Sequence, residues 1–341
     1  MRLSLAAAVA ALVLVPAAAQ AGTPAITTHG PDPIAPLAQR FRSDGAPKDR
    51  GPWCGRRLSR DDTAHQVDNG APRFHAILAV PAGAKSRLTE LAPDIQGDAL
   101  GSSALLERRY GRAFRFDMGT SCGPQYLDIS ILRMRRDAAA LRDAATRPNG
   151  TLDAIYDELR MAGWPVTLPQ DDDAPLRPSN YVVWLDGPAT PDACGQATLY
   201  GDPRRTADNR NNMGGSVAVV FRAADGFCGA DAVRHEIGHT LGAVLPGVAP
   251  HADGGGHCTD AVEDTLCLTS APVRATGLVE GEFFDYNNDD YWDPPLGPPL
   301  PWWTVNLSRF LCPKPDCNSV TPSRSRPRRA VRARRSRARA A

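Results

Sequence analysis

The chain has 341 residues, with 39 Lys and Arg against 38 Asp and Glu, so its formal charge at pH 7 is only +1. That balance hides an asymmetry: nine arginines lie between Arg324 and Arg339 and one more, Arg2, stands at the start, which leaves −9 for residues 22–323. A basic tail without aromatic residues excludes nucleic-acid recognition by base stacking, and eight cysteines, an even count, point away from a reducing compartment.

Residues 1–21 read as a secretory signal peptide, with Arg2 as the basic start, an apolar run to Val15 and Ala19-Gln20-Ala21 before cleavage. The run is too short for a membrane anchor and no similar run follows it. The expectation is a secreted, extracellular, soluble monomer. Residues 22–70 are rich in Pro, Gly, Asp and Arg with little periodicity, a loosely structured lead-in or a pro-segment.

The globular part is expected over 71–318. Strand-like runs occur at 74–80, 113–117, 127–132, 181–185 and 216–221. Between them, 137–145 is alanine-rich, and Leu152, Ile155, Tyr156 and Leu159 mark one apolar face of a helix that stops before Trp164-Pro165. Strands alternating with helices predict an α/β (α+β) layered domain.

The run HEIGHTLG is expected on a helix, with Asp231 as its N-cap and Gly242 turning left-handed at its end. Residues four apart on a helix sit about 40° apart around the axis and roughly 6 Å along it. His235 and His239 can therefore reach one metal ion, and Glu236 stands beside it as a base for water. A catalytic zinc takes three protein ligands and keeps one position open, so a third must come from beyond the helix. His251 is the first candidate the chain presents and His257 the alternative, with Asp253 and Asp260 behind them.

HEIGHTLG followed by a turn resembles the metzincin branch of zinc endopeptidases, whose pattern HExxHxxGxxH is met through Gly242. Leu245 occupies the place of that pattern's third histidine and cannot bind zinc. More narrowly, HTLGAVLPGVAPHADGGGHCTDAVEDTLC is similar to secreted actinobacterial metzincin-like proteins with a longer loop after the glycine, over about residues 181–311. The resemblance implies a twisted mixed sheet over an active-site helix, with 216–221 near the cleft as an edge strand for extended peptide. It also implies an apolar floor under the metal, here Leu266 in place of methionine. Where some relatives carry a catalytic tyrosine this chain has Leu268, so that Tyr286 or Tyr291 must substitute or the zinc must carry more of the oxyanion charge. Latency through Cys54 is a further implication, with a structural disulfide as the competing use.

Cysteine spacing lacks CxxC, so disulfides are expected in place of a cysteine-zinc site. The pairing hypothesis joins Cys54 to Cys122, Cys194 to Cys228, Cys258 to Cys267 and Cys312 to Cys317. Downstream, Asp285, Asn287 and Asp289 offer alternate oxygens suited to Ca2+, against the default of a polar turn with Asx bonds. Trp292, Trp302 and Trp303 are expected in the core, with a cleft wall as the alternative. The C-terminal part reads as irregular and disulfide-tied, and residues 319–341 as a disordered Arg-rich tail, solvated or held on an anionic cell-envelope surface.

The function expected from these residues is hydrolysis of polypeptide by a secreted zinc endopeptidase. His235, His239 and His251 hold Zn2+, and Glu236 is the general base. The rival is a non-catalytic zinc-binding adhesion protein of the envelope. A third reading is hydrolysis of a non-peptide bond such as a wall amide.

Overall fold

The computed structural model describes residues 26–28, 52–62 and 70–313, apart from 169–170, 172–173, 189–192, 224–225, 262 and 268–282. The expected signal peptide, the basic tail, Cys317 and Leu268 lie outside the described residues. In chain order the elements are β1 (Ile26–Thr28), β2 (Arg73–Ala82), α1 (Leu88–Tyr110), β3 (Arg112–Phe114), β4 (Met118–Thr120), β5 (Gly123–Leu127), β6 (Ile129–Asp137), α2 (Ala138–Ala144) and α3 (Gly150–Met161). They continue with β7 (Ser179–Leu185), β8 (Gly195–Tyr200), β9 (Val217–Val220), β10 (Arg222–Ala223), β11 (Gly226–Phe227), α4 (Ala230–Thr240) and β12 (Leu311–Pro313).

A six-stranded mixed sheet in the order β1-β8-β9-β7-β2-β6 organises the molecule. β6, β2, β7 and β9 run parallel, whereas β8 is antiparallel to β9 and β1 is antiparallel to β8. The central strands are buried on both faces and accordingly read as almost continuous apolar runs. Side chains alternate between two cores. Phe74, Ala76, Leu78 and Val80 of β2 pack in the cluster that includes Ile95 of α1 and Ile237 of α4, while Ile77 and Ala79 pack with Leu152, Ile155 and Leu159 of α3. Each large aliphatic side chain so buried contributes about 1.5–3 kcal/mol. The result is a mixed α/β domain with helices on both sheet faces.

The two helices read from periodicity are present. Asp137 caps α2, its side chain accepting from the N–H groups of Ala139 and Ala140. The longest helix, α1, gave no periodic signal because Pro93, Gly97 and Gly101 interrupt its pattern. Tertiary packing overrides propensity there: Gly101, Ser102 and Ser103 are all buried, and α1 packs on α4. Residues 113–117, expected as one strand, are divided. β3 leaves the main sheet to pair with β12, and Phe116 makes only an isolated bridge to Phe74.

Three cysteine pairs stand at disulfide distance, Cys54–Cys122, Cys194–Cys228 and Cys258–Cys267. Cys54 is therefore committed to Cys122 and not free to act as a latency ligand. The fourth expected pair involves Cys317, outside the described residues. Among the described residues no helix is long and apolar enough to cross a membrane.

A buried charge network anchors residues 52–62 to the sheet face opposite α4. His75, 1% exposed, places Nδ1 3.0 Å from Asp117 and Nε2 2.9 Å from the Ser130 hydroxyl and 3.2 Å from Asp61. Burial alone lowers the pKa of this imidazole, but the hydrogen bond to Asp117 and the charges of Asp61, Asp117 and Asp128 outweigh it and raise the value to about 9. Folding thus favours the protonated ring, and its stabilisation is complete below about pH 6.5 and lost as pH rises through 9. His75→Gln is expected to lower the thermal midpoint on the order of 5–10 °C at pH 6, with the gap closing by pH 9.5. A gap that stays constant across that range in calorimetry would refute the ion-pair account.

Candidate metal centre

α4 runs from Ala230 to Thr240 and is buried along almost its whole length. Its N-cap is Gly229, at φ 86°, not Asp231; Asp231 lies one residue inside the helix and pairs with Arg234 at 2.7 Å. The C-terminal end follows expectation. Gly242 is left-handed at φ 78°, Gly242 N–H donates to His239 O and Ala243 N–H to Gly238 O, which together close a Schellman motif. The motif ends the helix one residue after His239, at Thr240.

His235 and His239, both fully buried, bring their Nε2 atoms to 3.1 Å of each other. The third imidazole in this group belongs to His257, 3.3 Å from His235 Nε2. His251, the first-choice ligand from the sequence, lies elsewhere, with Asp260, Asp289 and Asp290. The physical reason is a staple: Cys258, next to His257, is bonded to Cys267, next to Leu266 beneath the helix. Cys258 N–H also donates to Leu266 O at 3.1 Å. Leu245 is buried and apolar, as its side chain requires.

Two nitrogens each about 2.0–2.1 Å from a tetrahedral ion stand about 3.3–3.4 Å apart. The spacings of 3.1 and 3.3 Å match that requirement. The His235 tautomer fits as well. Its Nδ1 lies 2.9 Å from the Thr265 carbonyl, an acceptor only, so Nδ1 carries the proton and Nε2 presents a lone pair to the centre. Asp253 organises the third ligand: its carboxylate accepts the backbone N–H groups of Gly255 at 2.6 Å and His257 at 3.1 Å, and lies 3.6 Å from His257 Nδ1. Burial pushes the Asp253 carboxyl up, but the His257 ring and these backbone donors outweigh it and hold its pKa at about 2. The donor set and its spacing can hold a metal ion.

Beneath the histidines, Leu266 is fully buried, and a Cβ added to Gly238 would meet its Cδ1 at 2.9 Å. The expected apolar floor is therefore in contact with the helix between the two ligating turns. Glu236, 1% exposed, lies against β8, because a side chain at Gly195 would run into its carboxylate. The Cys194–Cys228 disulfide ties the start of β8 to the start of α4. Thus β8, and not β9, is the strand beside the centre. β9 is interior, and β1 lies along the outer side of β8, with Ile26 opposite Tyr200 and Thr28 opposite Thr198.

Of the two tyrosines considered as substitutes for a catalytic hydroxyl, Tyr291 has its hydroxyl engaged elsewhere. Tyr291 is fully buried and its hydroxyl is committed to Asp264 and the Phe284 carbonyl. Tyr286 packs on Phe283, with its N–H donated to Asp264. At Asp285, Asn287 and Asp289 the structure shows the polar turn that is the default reading of these residues, with Ca2+ as its alternative. Asp285 is fully buried and accepts the N–H groups of Asp289, Asp290, Tyr291 and Trp292, the Asx-type default. Trp303 is core, its indole N–H donating to Leu241 O just past α4, Trp292 is 7% exposed, and Trp302 donates to Asp290 O. A cavity of about 390 Å³ lined by Arg60, Asp61 and Trp164 adjoins the His75 network and includes none of the metal-centre residues.

Comparison with protein-family models, with curated proteins and with solved structures finds no match for this chain. The centre is thus defined by its own geometry. Removing the Asp253 carboxylate should loosen His257 without touching a ligand. Asp253→Asn is expected to weaken metal affinity about 10- to 100-fold in chelator competition, and wild-type affinity in that variant would assign Asp253 to turn geometry alone.

Proposed function

We propose that the chain is a secreted, metzincin-like zinc endopeptidase whose ligands are His235, His239 and His257 and whose general base is Glu236. The observation that carries this reading is the convergence of three imidazole nitrogens at 3.1 and 3.3 Å beside a buried glutamate that adjoins the same helix turn. Three neutral nitrogens with a carboxylate next to them suit Zn2+ in a hydrolytic site better than an oxygen-seeking cation. A bound zinc ion would lower the pKa of water to about 7 and polarise a carbonyl oxygen.

The chain's own residues carry the proton movements. Glu236 accepts a proton from the attacking water and returns it to the departing amine. Its position follows from the fold: the helix holds its backbone, and the bare backbone at Gly195 leaves room for its carboxylate. The buried floor at Leu266 and the Thr265 carbonyl restrain the histidines so that little reorganisation accompanies the reaction.

Peptide as substrate is supported by β8. This strand adjoins Glu236 and carries an extended segment, β1, antiparallel on its outer edge, which is how a protein holds backbone without reading much sequence. Export is supported by the signal-peptide pattern read in residues 1–21 and by the three cysteine pairs at disulfide distance.

Glu236→Gln is expected to retain one equivalent of zinc by elemental analysis while casein hydrolysis falls about 10²- to 10⁴-fold; activity at wild-type level in that variant removes Glu236 from the mechanism. The ligand assignment is tested separately by metal content, where His257→Ala should lose zinc and His251→Ala should keep it. Equal zinc in both variants would return the third position to another residue.

A further inference from the structure

The histidine that does not join the metal centre sits in a different ligand set. His251 Nδ1 lies 3.3 Å from Asp290, 3.6 Å from Asp260 and 4.0 Å from Asp289. One imidazole nitrogen carries at most one proton, so it can satisfy one of these three carboxylates and not the others. No arginine or lysine pairs with any of the three among the described residues. Even a protonated His251 would leave two negative charges without a counter-charge.

Burial sharpens the imbalance. The Asp290 side chain is 1% exposed, and the donors that reach its carboxylate both belong to His251, the backbone N–H at 3.2 Å and the ring at 3.3 Å. A carboxylate out of water needs compensation of its full charge, which a single neutral imidazole does not provide. Burial, then the neighbouring Asp260, push Asp290 up to about 6, and Asp289 is shifted the same way. Ligand atoms from the four residues all lie within 4.8 Å of one another. Donors on opposite sides of an ion at about 2.1–2.4 Å stand up to about 4.2–4.8 Å apart, so the spread is that of one coordination sphere.

We propose that His251, Asp260, Asp289 and Asp290 form a second site for a divalent cation, distinct from the three-histidine centre, that clamps the loop carrying His257 to the 285–292 turn. Three carboxylates and one imidazole suit a cation of Mn2+ type, which accepts oxygen and nitrogen together. His251 and Asp260 bracket the loop in which Ala252 bridges Cys258, and Asp289 and Asp290 are presented by the turn that Asp285 holds. The cation therefore joins two segments that lie about 30–40 residues apart in sequence, a constraint favourable to loop order. This site does not depend on catalysis by the other.

The test is Mn2+ titration of the mature, disulfide-bonded protein, followed by the loss of the free-ion electron paramagnetic resonance signal. It is run on zinc-loaded wild type and on His235→Ala, which disables the three-histidine centre. One equivalent of Mn2+ is expected to bind in both, and Asp260→Asn with Asp289→Asn should weaken it at least ten-fold. Competition by Ca2+ at similar concentration would mark the carboxylates as the dominant ligands, and resistance to Ca2+ would mark His251; either supports the site. Absence of Mn2+ binding, or binding unchanged in the double variant, overturns it. Thermal melting of the metal-free protein adds a second readout. The double variant should melt higher than wild type, because removing two carboxylates relieves repulsion, whereas a plain ion-pair role for His251 requires it to melt lower and would also overturn the proposal.

Discussion

The four-residue turn from Asp264 to Cys267 is the constraint on which the three-histidine cluster depends. Each of its residues holds a different part. Thr265 presents its carbonyl to His235 Nδ1, Leu266 packs under Gly238 between the two helical histidines, and Cys267 is bonded to the loop that carries His257. Asp264 fixes the turn itself, accepting Leu266 N–H at 2.9 Å and the N–H of Tyr286 at 3.2 Å. Burial and the nearby Asp285 push the Asp264 carboxyl well above the ordinary carboxylate range. A perturbation here would reach all three histidines at once, whereas a change on the far face of the sheet would have to pass through the strands.

How much of this could be read from the sequence depends on whether local pattern or distant packing decides. The helix around HEIGHTLG, its left-handed end at Gly242 and the apolar face of α3 are local, and each is present at the residues where spacing put it. α1 was illegible because it is held by packing on α4, a contact no window of neighbouring residues contains. The role of β8 was hidden for the same reason: strand order is a tertiary property, and 195–200 carries no stronger signal than 217–220.

The grouping of His257, and not His251, with the two helical histidines follows from constraints that lie apart in sequence. Proximity along the chain favoured His251, which follows the helix sooner. The signal for His257 was present in two separate expectations, the Cys258–Cys267 pair and Leu266 as the floor under the metal. Combined, they leave little freedom, since a disulfide holds its Cα atoms near 4.1 Å here and drags the residue beside Cys258 to the residue beside Leu266. Constraints that are weak separately became decisive when they shared a residue neighbour.

Two of the three clustered histidines stand on one helix turn, so their relative geometry is fixed by the backbone hydrogen bonds of α4. The third stands on a loop and must be ordered by other means. That loop is held by the disulfide over a separation of 9 residues, by the Asp253 carboxylate, and by the bridge between Ala252 and Cys258. All of these act on residues 251–260, and none acts on the helix. Metal affinity at such a centre contains the free energy of ordering its least ordered ligand. The cluster at His251 occupies the base of this same loop and carries excess negative charge. Its charge therefore acts on the same loop that positions His257 beside His235.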